Sequence, residues 1–308
     1  MPANISLHLN IGIKKLEIIT QLIQLFPYAI IGSVLAGMIC AFLGTFVVTQ
    51  RVVFLGAVLT QVAVAGVAFS FLHLIDISGW IANIFGINND GHIFQHQFDP
   101  AFYSLLFAVI VVFIFSQTYR QKLLTQDSIL GIIFVTAISM RIMFIQKSPI
   151  AEVSEIEAIL KGDLLFIGQT EVFVLLGILM CTIAVFTIFS KQFRFVTFDA
   201  ESANAHGINS HFWLLFFYVL VGVGISLTTR FVGDVFTFAY LIIPSVIGIM
   251  LAKTVKQVII ISMFIGALLP PISLYLAFKF DFSSGPTAVV LAFIIFIIVY
   301  FYKKFRDN

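Results

Sequence analysis

Residues 28–48 read YAIIGSVLAGMICAFLGTFVV, 21 positions without a charged side chain. A helix rises 1.5 Å per residue, so this run reaches about 30 Å, the thickness of a bilayer's hydrocarbon core. In lipid the backbone must satisfy its own hydrogen bonds, which a helix does. The stretch therefore reads as a membrane-spanning helix. Within it Ser33, Gly37, Ala41 and Thr45 recur at every fourth position and form one small-residue stripe. Such a stripe lets two helix backbones approach closely. It suits packing within the chain or against a second subunit, and the sequence leaves both open.

Working outward, further apolar runs fall at about 53–75, 101–116, 129–145, 172–189, 212–228, 235–251, 258–278 and 287–302. That makes about eight or nine spans. The third and fourth runs are short and read as tilted or broken helices. The whole chain agrees: 60% of its 308 residues are hydrophobic and 10% charged, against about 25% charged in soluble domains. Mean hydropathy is +1.10. The expected fold is all-α, a polytopic transmembrane helical bundle forming a single domain over 1–308. Residues 1–27 read as an N-terminal outer or interfacial segment, with Lys14 and Lys15 snorkelling. No removable signal peptide is evident. Net charge is +2 with dispersed bases, so nothing favours a nucleic-acid partner. Cys40 and Cys181 sit in apolar runs and read as small hydrophobes rather than a disulfide or metal pair.

Basic residues set the expected orientation. Arg51, Arg120, Lys122, Lys191, Arg194, Lys253, Lys256, Lys303, Lys304 and Arg306 fall in one set of alternate loops. Asp76, Asp90, Asp99, Glu152, Glu155, Glu157, Asp163, Glu171 and Asp281 fall in the other. The basic side should be cytoplasmic, which puts the N-terminus outside, the C-terminus inside and makes the span count odd. The cell's inner (plasma) membrane is the expected location.

Catalytic signatures are missing. The chain has no G-x-x-x-x-G-K-[ST] phosphate loop, no H-E-x-x-H helix and no G-x-S-x-G elbow. Nucleotide hydrolysis by the chain itself and an intramembrane protease or acyltransferase therefore have little support, and an enzyme is not expected. Three polar features interrupt the apolar pattern. The loop at 190–210 contains KQFRFVTFDAESANAHGIN, where Asp199 can cap a short amphipathic helix and Gly207 can end it. Pro244 lies inside FAYLIIPSVIGIMLA and should bend its helix. DFSSGPT, residues 281–287, is a turn.

FDAESANAHGIN at 198–209 resembles F-D-x-E-x-A-x-x-x-G-I-N of the permease subunits of zinc/manganese-type metal ABC transporters. LGTFVVTQRVVFLG at 43–56 resembles that family's first-to-second span junction, and DSILGI at 127–132 its D-x-x-x-G-I start of the fourth span. KGDLL at 161–165, YLIIPSVIGIMLAK at 240–253 and DFSSGPTAVVL at 281–291 resemble later family segments in the same order. The resemblance covers roughly residues 30–295. It implies a metal/cobalamin-type ABC importer permease fold and a homodimer. It further implies two separate ATP-binding cassette ATPase subunits below and an extracytoplasmic metal-binding protein above. The 198–209 segment would be the coupling helix, with Asp199, Glu201, Ala203, His206 and Gly207 contacting the ATPase. ATP would be used by those partners, and no cofactor would be bound by this chain.

One departure from the family matters. The second span there reads G-D-x-x-x-H-A, an acid and a histidine on one helical face. Here the acid's place is taken by Ala57 and the histidine's by Gln61. The expected cargo is a divalent transition metal, zinc, manganese or iron. Candidate path residues are Gln61, Asp127, Asp163 and Pro244. His92 and His96, four apart in DGHIFQHQFD, are candidate metal ligands; a solvated loop is the plain alternative. Arg141, deep in the fourth run, should face the protein interior, a cavity or the outer interface. Asp234 and Arg230 flank the turn between the sixth and seventh spans and are expected to pair. Two other readings stay open: a permease for a chelated metal (siderophore- or cobalamin-like), and an ion-coupled secondary transporter, which would need inverted repeats and broken helices.

Overall fold

The structure is a computed structural model that describes residues 24–72, 91–120, 125–148, 164–198, 207 and 209–307. The described residues are helical apart from short connections. The helices are α1 (Pro27–Thr49), α2 (Val53–Ser70), α3 (Gly91–Arg120), α4 (Gln126–Lys147), α5 (Gln169–Ile188), α6 (Ser190–Phe198), α7 (Ser210–Val232), α8 (Asp234–Leu251), α9 (Val255–Phe280) and α10 (Ser284–Asp307). A single 3₁₀ turn, Leu164–Phe166, precedes α5.

Among the described residues nine helices are long and apolar enough to cross a membrane; the short α6 is the exception. The fourth span is not short; the third crossing, Pro100–Gln117, is among the shortest at 18 residues, though the helix that carries it is longer. α3 has 30 residues and α4 has 22. Counting only apolar residues hides their polar ends, which stay helical because the backbone, not the side chain, carries the hydrogen-bond ladder. α3 also runs through Pro100.

Polar side chains close the helix starts. Thr125 caps α4 by accepting from the Ser128 amide at 3.3 Å. Asn209 caps α7 through the Phe212 amide at 3.2 Å, and Thr254 caps α9 through that of Gln257 at 3.4 Å. The turn expected at 281–287 is present. Asp281 ends α9 in the left-handed region at φ 58°, and α10 begins at Ser284. The Ser284 hydroxyl then accepts from the Leu164 amide at 2.8 Å, tying the 3₁₀ turn to α10.

The buried centre is α1 and α2. α1 packs on α8, α9 and α5, while α2 packs on α3, α4 and α7. The small-residue stripe of α1 settles its own question: it serves packing inside the chain. A side chain at Gly37 would run into the Gly266 carbonyl of α9, and one at Gly44 into the Leu241 carbonyl of α8. The Ser245 hydroxyl donates to the Ala41 carbonyl at 3.1 Å across the same seam. Backbones brought this close gain dispersion contacts that lipid cannot supply between helices. The outward faces of α4, α5, α9 and α10 carry Val135, Met143, Phe173, Phe264 and Phe293, all more than half exposed, as lipid-facing surfaces do.

Candidate translocation site and coupling segment

Three helices bring charge together inside the bundle. Gln61 is the ninth of the 18 residues of α2, half-way along the span. Asp234 is the first residue of α8. Gly233, at φ 81°, turns the chain there with no residue to spare between α7 and α8. That backbone conformation strains any side chain, so glycine fits it. One carboxylate oxygen, Oδ1, accepts from the Val235 amide at 2.8 Å, at the helix end whose dipole favours an anion. The other, Oδ2, accepts from Gln61 Nε2 at 2.8 Å. Arg141 of α4 completes the network. Its Nη1 donates to Asp234 Oδ2 at 3.3 Å and to Gln61 Oε1 at 3.2 Å.

The three side chains form a closed triangle with no net charge. A lone charge at this depth costs about 2.5–3.5 kcal/mol on insertion scales, and pairing offsets that cost. The pair is not sealed off: the side chains of Arg141 and Asp234 retain 26% and 11% exposure. The expected Arg230–Asp234 pair is not formed. Arg230 lies over the Phe231 ring at 5.3 Å and in the field of Glu171. Arg141 reaches Asp234 from α4 instead.

Of the path residues expected from sequence, Gln61 sits in this network. Asp127 is exposed in the first turn of α4, fourteen residues and ~21 Å of helix from Arg141. Pro244 is buried inside α8, ~15 Å beyond Asp234, where α8 crosses α1 beside Gly44. Ala57, one turn before Gln61, is buried at 7% exposure. Asp163 lies outside the described residues. The backbone of His92 and His96 belongs to α3, and their side chains lie outside the description. Among the described residues no group of three or more His, Cys, Asp or Glu is placed to hold a metal ion.

The second functional element is the segment after α5. A helix, α6, runs from Ser190 to Phe198 and ends just before Asp199; the segment expected to form the coupling helix lies outside the described residues apart from Gly207 and Asn209. Phe193 and Val196 bury one side of it while Lys191 stays exposed. Phe193 is enclosed by Phe186 at 4.8 Å, Trp213 at 5.8 Å, Phe216 at 6.0 Å and Phe217 at 6.1 Å between ring centroids. This aromatic box fastens α6 to α5 and α7. Asp199, Glu201, Ala203 and His206 fall outside the described residues. Gly207 is described and exposed, at φ 78°, a left-handed conformation suited to ending a helix. Phe193→Ala should loosen α6 by about 3–5 kcal/mol, the cost of emptying a buried phenyl site. The check is faster proteolysis within 190–198, with the spans still intact.

The triangle and the box are not expected from the sequence. The available signal for the first was a cation and an anion stranded in separate apolar runs, since intramembrane charges pair with one another. The second gave no periodic signal because its rings come from three helices.

The sequence profile of the ABC 3 transport family matches residues 22–303. The chain belongs to that family. It is 23% identical over 273 residues to the manganese import system permease protein ScaB of Streptococcus gordonii, covering 89% of each chain. Its fold is similar to that of PsaBC from Streptococcus pneumoniae, solved in complex with a Fab, with a TM-score of 0.74 at 22% identity over 92% of this chain and 94% of that one. It is also similar to an inward-facing transporter described as of metal-chelate ABC type, with a TM-score of 0.64 at 14% identity over 92% and 89%. The expected all-helical ABC permease architecture is therefore the observed one, and this family member is a multi-pass membrane protein.

Proposed function

We propose that this chain is the permease subunit of an ABC importer that moves a divalent transition metal, such as zinc, manganese or iron, into the cytoplasm. The observation that carries this reading is the family match over nearly the whole chain, together with a relative named for manganese import. Two copies of the chain would form the pathway. Separate ATPase subunits would dock on the basic face at Asp199, Glu201, Ala203, His206 and Gly207 and would use the ATP; the chain itself would bind no cofactor. An extracytoplasmic metal-binding protein would deliver cargo. With the basic loops on the cytoplasmic side, nine crossings would leave the N-terminus outside and the C-terminus inside, in the inner (plasma) membrane. The rigid box around Phe193 supports a coupling role, because it hands movement of the docked segment to α5 and α7. Gln61 and Pro244 belong to the moving core in this reading, with Asp127 and Asp163 at helix starts along the path and His92 and His96 at its outer mouth.

A chelated metal is the second reading, favoured by one observation. A guanidinium stands beside Gln61, and it would suit the carboxylates or oxyanions of a chelator. The test is metal content of cells with and without the chain, co-expressed with its ATPase, measured across manganese, iron, zinc and nickel. A deficit in one metal, rescued by the wild type and not by an Asp199→Ala/Glu201→Ala/Gly207→Leu variant, is the expected result. No deficit in any free metal, with lost uptake of a chelate, would move the second reading to first place.

A further inference from the structure

Two oxygens in the triangle converge on one nitrogen. Gln61 Oε1 and Asp234 Oδ2 lie 3.2 and 3.3 Å from the same Arg141 Nη1. A cation placed between those oxygens would stand where Nη1 stands now. We propose that Asp234 and Gln61 form the transit site for the cargo cation, and that Arg141 is a tethered cation that fills the site between turnovers and yields to the incoming ion. This rests on the metal-permease reading and adds the ligands and the class of ion.

The geometry gives three reasons. First, both Arg141 contacts are longer than the 2.7–2.9 Å of a firm charge-assisted bond, whereas the Gln61–Asp234 bond is 2.8 Å. The two oxygen-bearing side chains hold each other, and the guanidinium is the loosest member. Second, Arg141 retains 26% side-chain exposure, so it has somewhere to withdraw. Third, the exchange is electrostatically downhill at the carboxylate. A divalent ion at the same separation doubles the Coulomb attraction of a monovalent one. It also fits closer, since metal–oxygen distances are about 2.0–2.6 Å.

The donor set also selects. Carboxylate and amide oxygens suit manganese-like hard cations, whereas imidazole and thiolate favour zinc and copper. With Ala57 and Gln61 where the family resemblance puts an acid and a histidine, the site has lost its nitrogen ligand and taken its carboxylate from α8 instead. Two protein oxygens with water completing the shell bind weakly, and a conducting site must release what it binds. When the ion leaves, Arg141 returns and restores neutrality, so the empty pathway is shut to other cations by its own guanidinium.

The test is equilibrium binding of manganese(II) to the purified full-length chain in nanodiscs, read by the electron paramagnetic resonance signal of free ion. It uses no ATPase and no uptake, so it stands apart from the cell experiment. The wild type should bind weakly. Arg141→Met should tighten binding about tenfold, Arg141→Lys should return it to the wild-type level, and Arg141→Met/Asp234→Asn should abolish the gain. If Arg141→Met does not elute as folded protein, Gln61→Glu carries the test: a second carboxylate should also tighten binding about tenfold. Unchanged affinity in the Arg141→Met or the Gln61→Glu variant overturns the proposal. So does a gain that survives Asp234→Asn. Binding of manganese citrate by the wild type that Arg141→Met destroys would also overturn it, because the guanidinium would then be a ligand for the chelator.

Discussion

Gly44→Leu should leave little folded protein. A side chain at Gly44 meets the Leu241 carbonyl, with the Ser245 hydroxyl 2.5 Å and the Leu241 carbonyl carbon 2.7 Å from its first atom. Those obstacles are mostly backbone, and backbone cannot rotate aside as a side chain does. α1 and α8 would have to separate, giving up the Ser245–Ala41 hydrogen bond and the close packing around it. Overpacking costs about 1–3 kcal/mol where side chains can repack. Here they cannot, so the cost should reach the top of that range or pass it. Gly37→Leu should behave alike, because its obstacle is the Gly266 carbonyl. The controls are Gly131→Leu and Gly177→Leu, whose added atoms would have nothing within 4 Å. Monodisperse elution and melting temperature in detergent decide it. The two control variants should match the wild type, and Gly44→Leu should aggregate or melt far lower. Equal behaviour of all four would mean that the seams of α1 with α8 and α9 are not tight.

That seam shows what could be read in the sequence and why. The i, i+4 recurrence of Ser33, Gly37, Ala41 and Thr45 identifies a close-packing face, because helical periodicity is local and written in one segment. Its partner is not local. Gly266 and Leu241 lie more than 190 residues away, and no spacing rule connects them to Gly37 or Gly44. The same division runs through the candidate site. Gln61 is legible because a motif frames it, and Gly207 because a helix end needs its backbone freedom. Arg141 was expected to seek the interior on energetic grounds alone. Its choice of Asp234 over a surface position depends on how α4 and α8 pack around α2. Side-chain direction of that kind is set by packing across helices. Helix lengths are under-read for a simpler reason: hydropathy counts apolar side chains, whereas α3 and α4 extend through polar ones.

Asp234→Leu should cost more stability than the loss of both charges. Removing the carboxylate leaves the Arg141 guanidinium without a counter-ion beside Gln61 inside the bundle, and breaking a buried pair from one side costs about 3–5 kcal/mol. Arg141 keeps 26% of its side-chain exposure, so solvent softens the penalty and about 2–4 kcal/mol is the expected loss. Arg141→Met/Asp234→Leu removes both charges and both desolvation costs, and should recover most of that loss, since apolar replacements of buried ion pairs are often neutral or better. A thermodynamic cycle of the two single variants and the double, read by melting in detergent, measures the coupling. Transport separates the two roles of the aspartate. If Asp234 only fastens α8 to α4, the double variant should regain uptake along with stability. If Asp234 also meets the cargo, the double variant should be as stable as the wild type and still fail to transport, because no repacking with methionine and leucine returns a carboxylate to the path. A stable and inactive double variant is the expected result, and recovered uptake would confine Asp234 to architecture.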